Sequence, residues 1–274
     1  MRIVLGIEYD GHGFSGWQWQ VDLRTVQDCL ELALSKVSNE KVRVFTAGRT
    51  DTGVHALEQV VHFDTEAVRD ERAWIMGVNS YLPDDVRVIW MKEALDGFHA
   101  RYSAIARYYR YRIINRKMKS ALHRKQMTWF YYPLDVEKMQ AAANSLIGEH
   151  DFSSFRAQGC QSKSPMRFMH YIRVGRLGDE VFIDIIANAF VHHMVRNIAG
   201  VLMAIGSGKK PATWTEELLS VKDRKQGGVT AASDGLYLAG IYYPEKFGVP
   251  RHPLFKELPD GVKRFDDYND KNES

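Results

Sequence analysis

RIVLGIEYD (residues 2–10) is rich in branched apolar residues, a composition typical of a β-strand. TVQDCLELALSKVS (25–38) follows it with apolar residues on one helical face, and Thr25 stands where it can cap that helix. Four further segments continue the pattern in the order strand, strand, helix, strand: 42–48, 58–64, 69–82 and 86–95. The order β-α-β-β-α-β is the split βαβ pattern.

The second half of the chain predicts the same plan, without sequence self-similarity at a fixed period. A strand at 106–114 precedes a helix at 134–148 and a hairpin turning at Gly178 and Asp179. The remaining predicted elements are the hairpin strands 169–177 and 180–190, helices 191–206 and 214–221, and a closing strand 235–243. The fold class is therefore α+β, with two split-βαβ domains at 1–100 and 101–250 and a charged tail at 251–274 that we predict to be disordered.

Positive charge is concentrated in one part of the chain, although the net charge of all 274 residues is only +3. Residues 97–134 contain no Asp or Glu, and basic residues alternate there with tyrosine, tryptophan and phenylalanine. The basic residues are Arg101, Arg107, Arg110, Arg112, Arg116, Lys117, Lys119, Arg124 and Lys125. Cations neutralise phosphates and flat rings stack on unpaired bases, so this stretch predicts either RNA binding or a solvated basic strand and loop.

Other features of the composition exclude several classes of protein. Cys29 and Cys160 belong to no CxxC pair, so we predict neither a zinc site nor a disulfide framework. No stretch approaches 18 consecutive apolar residues, and no signal-peptide core is present. We expect a cytoplasmic protein that does not enter the membrane.

The loop AGRTDTGVHA (47–56) is either an ordinary turn or a reactive site. Asp and Thr side chains bond local amides and Gly53 can supply a positive φ, which is ordinary turn chemistry. Arg49 stands two residues from Asp51, close enough to pair with it and hold it ionised, and His55 adds a polar ring. With a basic, aromatic region elsewhere in the chain, we interpret the loop as a site.

Asp-Thr-Gly is also the signature of aspartic proteases, which need two carboxylates sharing a proton. An adjacent arginine would oppose the shared-proton state, and Gly-Arg-Thr stands where an apolar strand is expected. The sequence therefore argues against a protease.

Five motifs together resemble the tRNA pseudouridine synthase A family over residues 2 to 250. They are GFSGWQ (13–18), AGRTDTGVHA (47–56), FHARYSAIARYYRYRI (98–113), ANAFVHHMVRN (187–197) and GLYLAGIYYP (235–244). The resemblance implies two ferredoxin-like (RRM-like) domains joined in a continuous, mostly antiparallel sheet with helices on one side. It implies isomerisation of uridine to pseudouridine in the anticodon stem-loop of tRNA, at positions 38, 39 and 40, by a homodimer without a cofactor. In YYRYR, Tyr108 stands where the family often has an arginine.

The resemblance also assigns site residues. Asp51 would be the nucleophile or the base, since both roles need an ionised carboxylate. Tyr109 would stack on the target base, Arg49 would fill the gap that a flipped base leaves, and Arg196 would pair with the catalytic carboxylate. Leu236 would pack beneath the tyrosine. We assign His55, Arg107 and Arg110 to RNA contacts.

Two neighbouring features carry other expectations. Alternation along the strand puts Tyr111 on the same face as Tyr109, and we interpret Tyr111 as a packing residue. His192 and His193 would point about 100° apart on a helix, so we predict no metal site there. The alternative function is a non-catalytic RNA-binding module or RNA chaperone, in which Asp51→Ala would leave all function intact.

Overall fold

A computed structural model of the protein describes residues 1–251, which form a mixed α/β structure of two compact units. The first unit comprises residues 1–105 together with 237–251, and the second comprises 106–236. Within each unit the strand pairs are mostly antiparallel. No helix in this part of the chain has the length and apolar content needed to span a bilayer.

The elements have the following bounds. The strands are β1 (Arg2–Tyr9), β2 (Phe45–Thr46), β3 (His55–Asp64), β4 (Val86–Glu93), β5 (Ala106–Asn115), β6 (Thr128–Phe130), β7 (Gly148–Asp151), β8 (Met166–Leu177), β9 (Glu180–Ala187) and β10 (Leu236–Tyr242). The helices are α1 (Val26–Ser38), α2 (Val78–Tyr81), α3 (Val136–Asn144), α4 (Met194–Gly206) and α5 (Trp214–Val221). Short 3-10 turns lie at Gly11–Gly13, Ser153–Phe155, Arg224–Gln226 and Glu245–Phe247.

In the first unit, β3 lies between β1 and β2. It pairs antiparallel with β1 along most of its length and antiparallel with β2 at Phe45 and Thr46. β4 lies on the other side of β1, also antiparallel, and β10 pairs parallel with the start of β3. β3 is thus inserted between β1 and β2, the two strands that α1 connects.

Helix α1 forms as its sequence predicts. The hydroxyl of Thr25 accepts a hydrogen bond from Asp28 N at 3.3 Å, and Asn39 ends the helix in the left-handed region with φ of 61°. Val26, Leu30 and Leu34 are fully buried on its inner face. Burying an aliphatic side chain contributes about 1.5–3 kcal/mol, so this stripe fixes the helix to the sheet.

In the second unit, the strand order is β5-β9-β8-β7, with each neighbouring pair antiparallel, and β6 runs parallel to β5. The predicted hairpin is confirmed, because Leu177 pairs with Glu180 around Gly178 and Asp179. Helix α4 buries residues on most of its circumference, including Ile198, Leu202 and Ile205.

Several predicted elements differ from the structure. The segment predicted as a helix at 69–82 is helical from 71 to 81, but Ala73–Gly77 forms a π-helical turn that precedes α2. The strand predicted at 42–48 reduces to β2, and the short strands β6 and β7 have no counterpart in the prediction. The closing strand, predicted as part of the domain 101–250, groups with the first unit from residue 237. Of the predicted tail 251–274, residues 252–274 lie outside the described part of the chain.

Glu58 is a buried acid in the sheet of the first unit. Its side chain lies on β3 and the residue is 1 % exposed. Neither carboxyl oxygen has a hydrogen-bond partner among the residues that the structure describes. Burial raises the pKa of Glu58 to about 8, and the nearby Trp90 indole opposes this rise only in part. Glu58 is therefore protonated in the folded protein at neutral pH.

We predict that Glu58→Gln stabilises the protein at pH 8 by roughly 2–4 kcal/mol. Between its ordinary pKa of 4.5 and its folded value of about 8, the folded state holds a proton that the unfolded chain releases. The free energy of unfolding of the wild type therefore falls as pH rises through this window, and the glutamine variant lacks this loss. Urea denaturation of both proteins at pH 4.5 and pH 8 measures it, with the exposed Glu8→Gln as control. The prediction is contradicted if the free energies of unfolding of the wild type and Glu58→Gln differ by the same amount at both pH values.

Candidate active site

The loop that carries Asp51 is a tight turn between β2 and β3. Val54 N donates to Asp51 O at 3.1 Å and closes the turn, and Gly53 adopts a φ of 77°. Ala47 N donates to Val60 O at 2.9 Å and Gln59 Nε2 donates to Gly48 O at 2.6 Å. The loop thus has the turn chemistry that its sequence predicts, and it holds the half-buried Asp51 at the head of the turn.

A second segment, residues 11–17, clamps this loop through its backbone. Trp17 N donates to Thr50 O at 3.0 Å, and Gly53 N donates to Phe14 O at 3.4 Å. Gly16 has a φ of 87°, and a Cβ on this residue would lie 2.8 Å from Thr50 O. The carbonyl groups of Gly16 and Trp17 in turn accept hydrogen bonds from the first residues of α1, Val26 and Gln27. The position of Asp51 is therefore set from outside its own loop.

Tyr9 adds a side-chain contact beneath the loop. Its hydroxyl and that of Thr50 are 2.7 Å apart, and both residues are buried. Burial raises the pKa of Tyr9 to about 12. The phenol therefore stays neutral, and its O–H can donate a hydrogen bond to Thr50 Oγ1.

His55 lies inside the first unit. It is 2 % exposed, and its ring stacks on Tyr237 with centroids 4.6 Å apart. Its Nδ1 accepts a hydrogen bond from Gly11 N at 3.1 Å and lies 3.0 Å from an Asp10 carboxylate oxygen. This burial argues against the predicted RNA contact and gives His55 a role in holding the 11–17 segment against β3.

Arg49 is exposed, and no carboxylate among residues 1–251 pairs with it. The expectation that Arg49 pairs with Asp51 is therefore wrong. The result is a guanidinium next to the turn that a ligand can engage.

Tyr109 lies on β5 in the second unit. Its ring is half-buried and meets Phe190 edge to face, with centroids 4.9 Å apart and planes at 79°. Tyr111 is fully buried, and its hydroxyl bonds Thr128 Oγ1 at 2.6 Å and Ala232 O at 2.8 Å. The packing role predicted for Tyr111 is confirmed, while Tyr109 keeps part of its ring accessible.

The arginines of β5 have internal partners that the sequence did not reveal. Arg110 forms a two-pronged ion pair with Asp184 at 2.7 and 2.8 Å, and Asp184 is 4 % exposed. This pair raises the pKa of the Arg110 guanidinium, and burial with Asp184 beside it raises the pKa of Tyr108. Arg107 donates to Asn188 O at 2.8 Å. The RNA contact predicted for Arg110 is thus opposed by a buried carboxylate that already neutralises it.

Arg196 and Leu236 lie in the second unit. Arg196 is in the first turn of α4, where its Nε donates to Ala231 O at 2.7 Å and its carbonyl accepts from Ala231 N at 3.1 Å. Leu236 is buried at the start of β10 and donates its N–H to Ser233 O at 2.8 Å. The segment 231–236 therefore orients the arginine through its backbone.

His192 and His193 do not point apart as predicted. Helix α4 begins only at Met194, and His193 precedes it with a left-handed φ of 62°. The two rings consequently lie together, with centroids 4.0 Å apart. The helical spacing used to separate them does not apply, since neither residue is in the helix.

Each unit thus supplies groups that can act in acid-base or nucleophilic chemistry. The first presents the carboxylate of Asp51 on a clamped turn, two residues from the exposed Arg49. The second presents an accessible phenol and an oriented arginine. A positioned carboxylate is the requirement for general-base and for covalent catalysis alike.

Comparison with known proteins gives consistent matches over almost the whole chain. The family model described as tRNA pseudouridine synthase matches residues 6–103 and 142–244. The tRNA pseudouridine synthase A of Methylococcus capsulatus is 60% identical over 265 residues, which is 97% of this chain and 98% of that protein. The corresponding proteins of Nitrosococcus oceani and Coxiella burnetii are 58% and 54% identical, each covering 92% of this chain and 97% of the relative. The model match includes Asp51 and Arg196, and the full-length relatives also span Tyr109.

We predict that Gly16→Ala lowers the free energy of unfolding by about 1–3 kcal/mol and loosens the loop of Asp51. The reason is the positive φ of Gly16 and the 2.8 Å that would separate Thr50 O from the added Cβ. Gly48→Ala is the matched control, since a Cβ there would meet nothing within 4 Å. Thermal denaturation measures the stability of both variants, and hydrogen exchange at Gly53 N measures the loop. Equal stability of the two variants would contradict the clamp.

Proposed function

This chain belongs to the tRNA pseudouridine synthase family, and we propose that it isomerises uridine to pseudouridine at positions 38, 39 and 40 in the anticodon stem-loop of tRNA. The observation that carries the proposal is Asp51, a carboxylate on a clamped turn of a chain that is 60% identical to a tRNA pseudouridine synthase A. Isomerisation consumes no second substrate and changes no oxidation state, so the reaction needs no cofactor.

The reaction breaks the bond between C1′ of the ribose and N1 of uracil and forms a bond between C1′ and C5. The base turns between these events, the proton on C5 leaves, and N1 gains a proton. The Asp51 carboxylate starts the reaction, either by attacking C1′ or by removing a ribose proton. Both routes need the fixed, ionised carboxylate that the clamp positions.

Tyr109 holds the target base through its ring. The edge-to-face contact with Phe190 fixes the ring while leaving part of it accessible, which suits stacking on a base. Its hydroxyl moves the proton released from C5. Tyr111 cannot replace it, because its hydroxyl is committed to Thr128 and Ala232.

Arg49 acts on the RNA that surrounds the target. A uridine in a stem must leave the stack, which costs a few kcal/mol. A planar guanidinium can fill the gap and bond the neighbouring bases, and Arg49 has no carboxylate partner among residues 1–251. The roles suggested for Arg196 and Leu236 stay predictions.

Two ferredoxin-like halves are our proposal for the fold. In the first unit the strand order is β4-β1-β3-β2, and neighbouring strands are antiparallel. β3 lies between β1 and β2, and β1 lies between β3 and β4, which is the split βαβ plan. In the second unit the strand order is β5-β9-β8, and neighbouring strands are antiparallel. α3 lies between β5 and β8 along the chain, and β9 lies between these two strands in the sheet, which is the same split arrangement. We further propose a cytoplasmic homodimer, supported by the exposed apolar side chains of Trp19, Val21 and Leu23; light scattering of the purified protein measures its mass.

Tritium release tests the function. A tRNA transcript carrying [5-³H]uridine must lose its label when C1′ bonds to C5, and we expect release by the wild type. Asp51→Ala and Asp51→Asn should lower the rate at least about 1000-fold, since they remove the carboxylate that starts the reaction. Both variants should bind the transcript with wild-type affinity in a filter assay. Binding without release by the wild type would instead support the alternative function, a non-catalytic RNA-binding module.

The roles of the two tyrosines separate in a second experiment. Tyr109→Phe should lower the rate of tritium release at least about tenfold at unchanged RNA affinity, because the ring stays and the hydroxyl is lost. Tyr111→Phe should keep the rate but lower the free energy of unfolding by about 1–2 kcal/mol, because Thr128 and Ala232 lose a buried partner. If Tyr111→Phe lowered the rate of tritium release and Tyr109→Phe kept it, the catalytic role proposed for Tyr109 would be contradicted.

A further inference from the structure

Five side chains of the second unit form a continuous row in which a lysine at each end flanks three aromatic rings. Lys119 Nζ lies 5.1 Å from the ring centre of Trp129, and Trp129 meets Tyr131 at 6.2 Å. Tyr131 contacts Tyr132 at 5.3 Å, and Lys209 Nζ lies 4.8 Å from the Tyr132 ring centre. We call this row, from Lys119 to Lys209, the lysine–aromatic row.

The charges of the row are not neutralised by the protein. Lys119 and Lys209 pair with no carboxylate among residues 1–251, and the same holds for the neighbouring Lys117, Arg124 and Lys125. Two acids of the second unit are engaged with other cations: Asp135 with Lys138 at 3.1 Å and Asp179 with Arg116 at 3.4 Å. A cluster of unpaired cations repels itself and favours an anionic ligand.

The two tyrosine rings of the row are exposed, and Trp129 is half-buried. Tyr131 is 46 % exposed and Tyr132 is 51 % exposed, and their planes stand at 87° to each other. Perpendicular neighbouring rings offer one face and one edge to a ligand. Exposed tyrosines flanked by lysines that pair with no carboxylate among residues 1–251 can bind unpaired bases and the phosphates between them.

The backbone beneath the row is rigid. β6 pairs with β5, and Asn115 on β5 donates to Phe130 O at 3.1 Å and to Tyr132 O at 2.7 Å. Trp129 Nε1 donates to Arg116 O at 3.0 Å. At the other end, Lys209 and Lys210 follow α4 and donate their N–H groups to Ala204 O. A preformed row loses little entropy when it binds a ligand.

We infer that the lysine–aromatic row is an RNA-binding surface of its own, which holds an unpaired segment of the substrate RNA by phosphate contacts and base stacking. The inference rests on the proposed function for the identity of the RNA. None of its residues takes part in the chemistry assigned to Asp51 and Tyr109. The row therefore contributes to capture of the RNA and leaves the chemical step unchanged.

The salt dependence of binding tests the row. Each phosphate contact contributes about 0.7–0.9 to the slope of log Kd against log salt concentration. The double variant Lys119→Gln/Lys209→Gln should therefore lower the slope by about 1.4–1.8 for a tRNA transcript. Lys36→Gln is the matched control, since Lys36 in the first unit also lies over a tyrosine, 4.9 Å from the Tyr81 ring centre. An unchanged slope in the double variant overturns the inference.

The stacking part of the inference has a separate readout. Tyr131→Leu/Tyr132→Leu should weaken binding to a single-stranded RNA at least about fivefold and leave binding to a blunt RNA duplex unchanged. Equal losses on both RNAs would overturn base stacking. Circular dichroism melting of every variant identifies any that is unfolded.

Kinetics distinguish failure of the row from failure of the proposed function. In tritium release, the lysine double variant should raise KM for the transcript and keep kcat. Release by the wild type with an unchanged salt slope in the variant overturns the row alone. Absence of release by the wild type overturns the proposed function, and the salt slope then still decides whether the row binds RNA.

Discussion

The hydrogen bond from Trp17 N to Thr50 O connects the reactive loop to the body of the first unit. The carbonyl of Trp17 accepts a hydrogen bond from Gln27 N. The Asp51 loop, the 11–17 segment and the amino terminus of α1 are therefore connected by backbone hydrogen bonds. α1 is in turn held to the sheet by its buried stripe. A carboxylate that takes part in a reaction must be held to within a fraction of an ångström. The loop of Asp51 is held by backbone groups, which have no rotamers to lose.

The clamp also accounts for the positions of residues to which we assign no step of the reaction. Gly16 is needed because the loop backbone comes too close for a side chain, and Tyr9 fills the space beneath Thr50 with a neutral hydroxyl. His55, which by its type and place suggests a contact with substrate, packs on Tyr237 and supports the same segment. A buried polar residue beside a site more often holds the site than touches the ligand.

The basic residues of the second unit form two groups: arginines that pair with carboxylates, and lysines that lie over aromatic rings. Two carboxylates of β9 neutralise arginines of β5: Asp184 pairs with Arg110 and Glu180 pairs with Arg112. A buried, hydrogen-bonded pair of this kind is costly to break, so these arginines belong to the fold. The surplus charge lies further along the chain, where lysines lie over aromatic rings. The face of a ring attracts a cation without cancelling its charge, which leaves that charge for phosphates.

The sequence by itself determined the features that depend on neighbours along the chain. The cap and apolar stripe of α1, the turn at Gly178 and Asp179, the turn chemistry of the Asp51 loop and the family motifs are all readable because period, cap and turn residues act within a few positions. Tertiary structure alone decided the rest: the partner of Arg110, the burial of His55, the absence of an Arg49–Asp51 pair, and the clamp by residues 11–17. These depend on contacts between residues far apart in sequence, such as Arg110 with Asp184, and pairing across a sheet has no local signature. The length of β2 was overestimated and β6 was not predicted, because a short strand forms only where a neighbouring strand pairs with it.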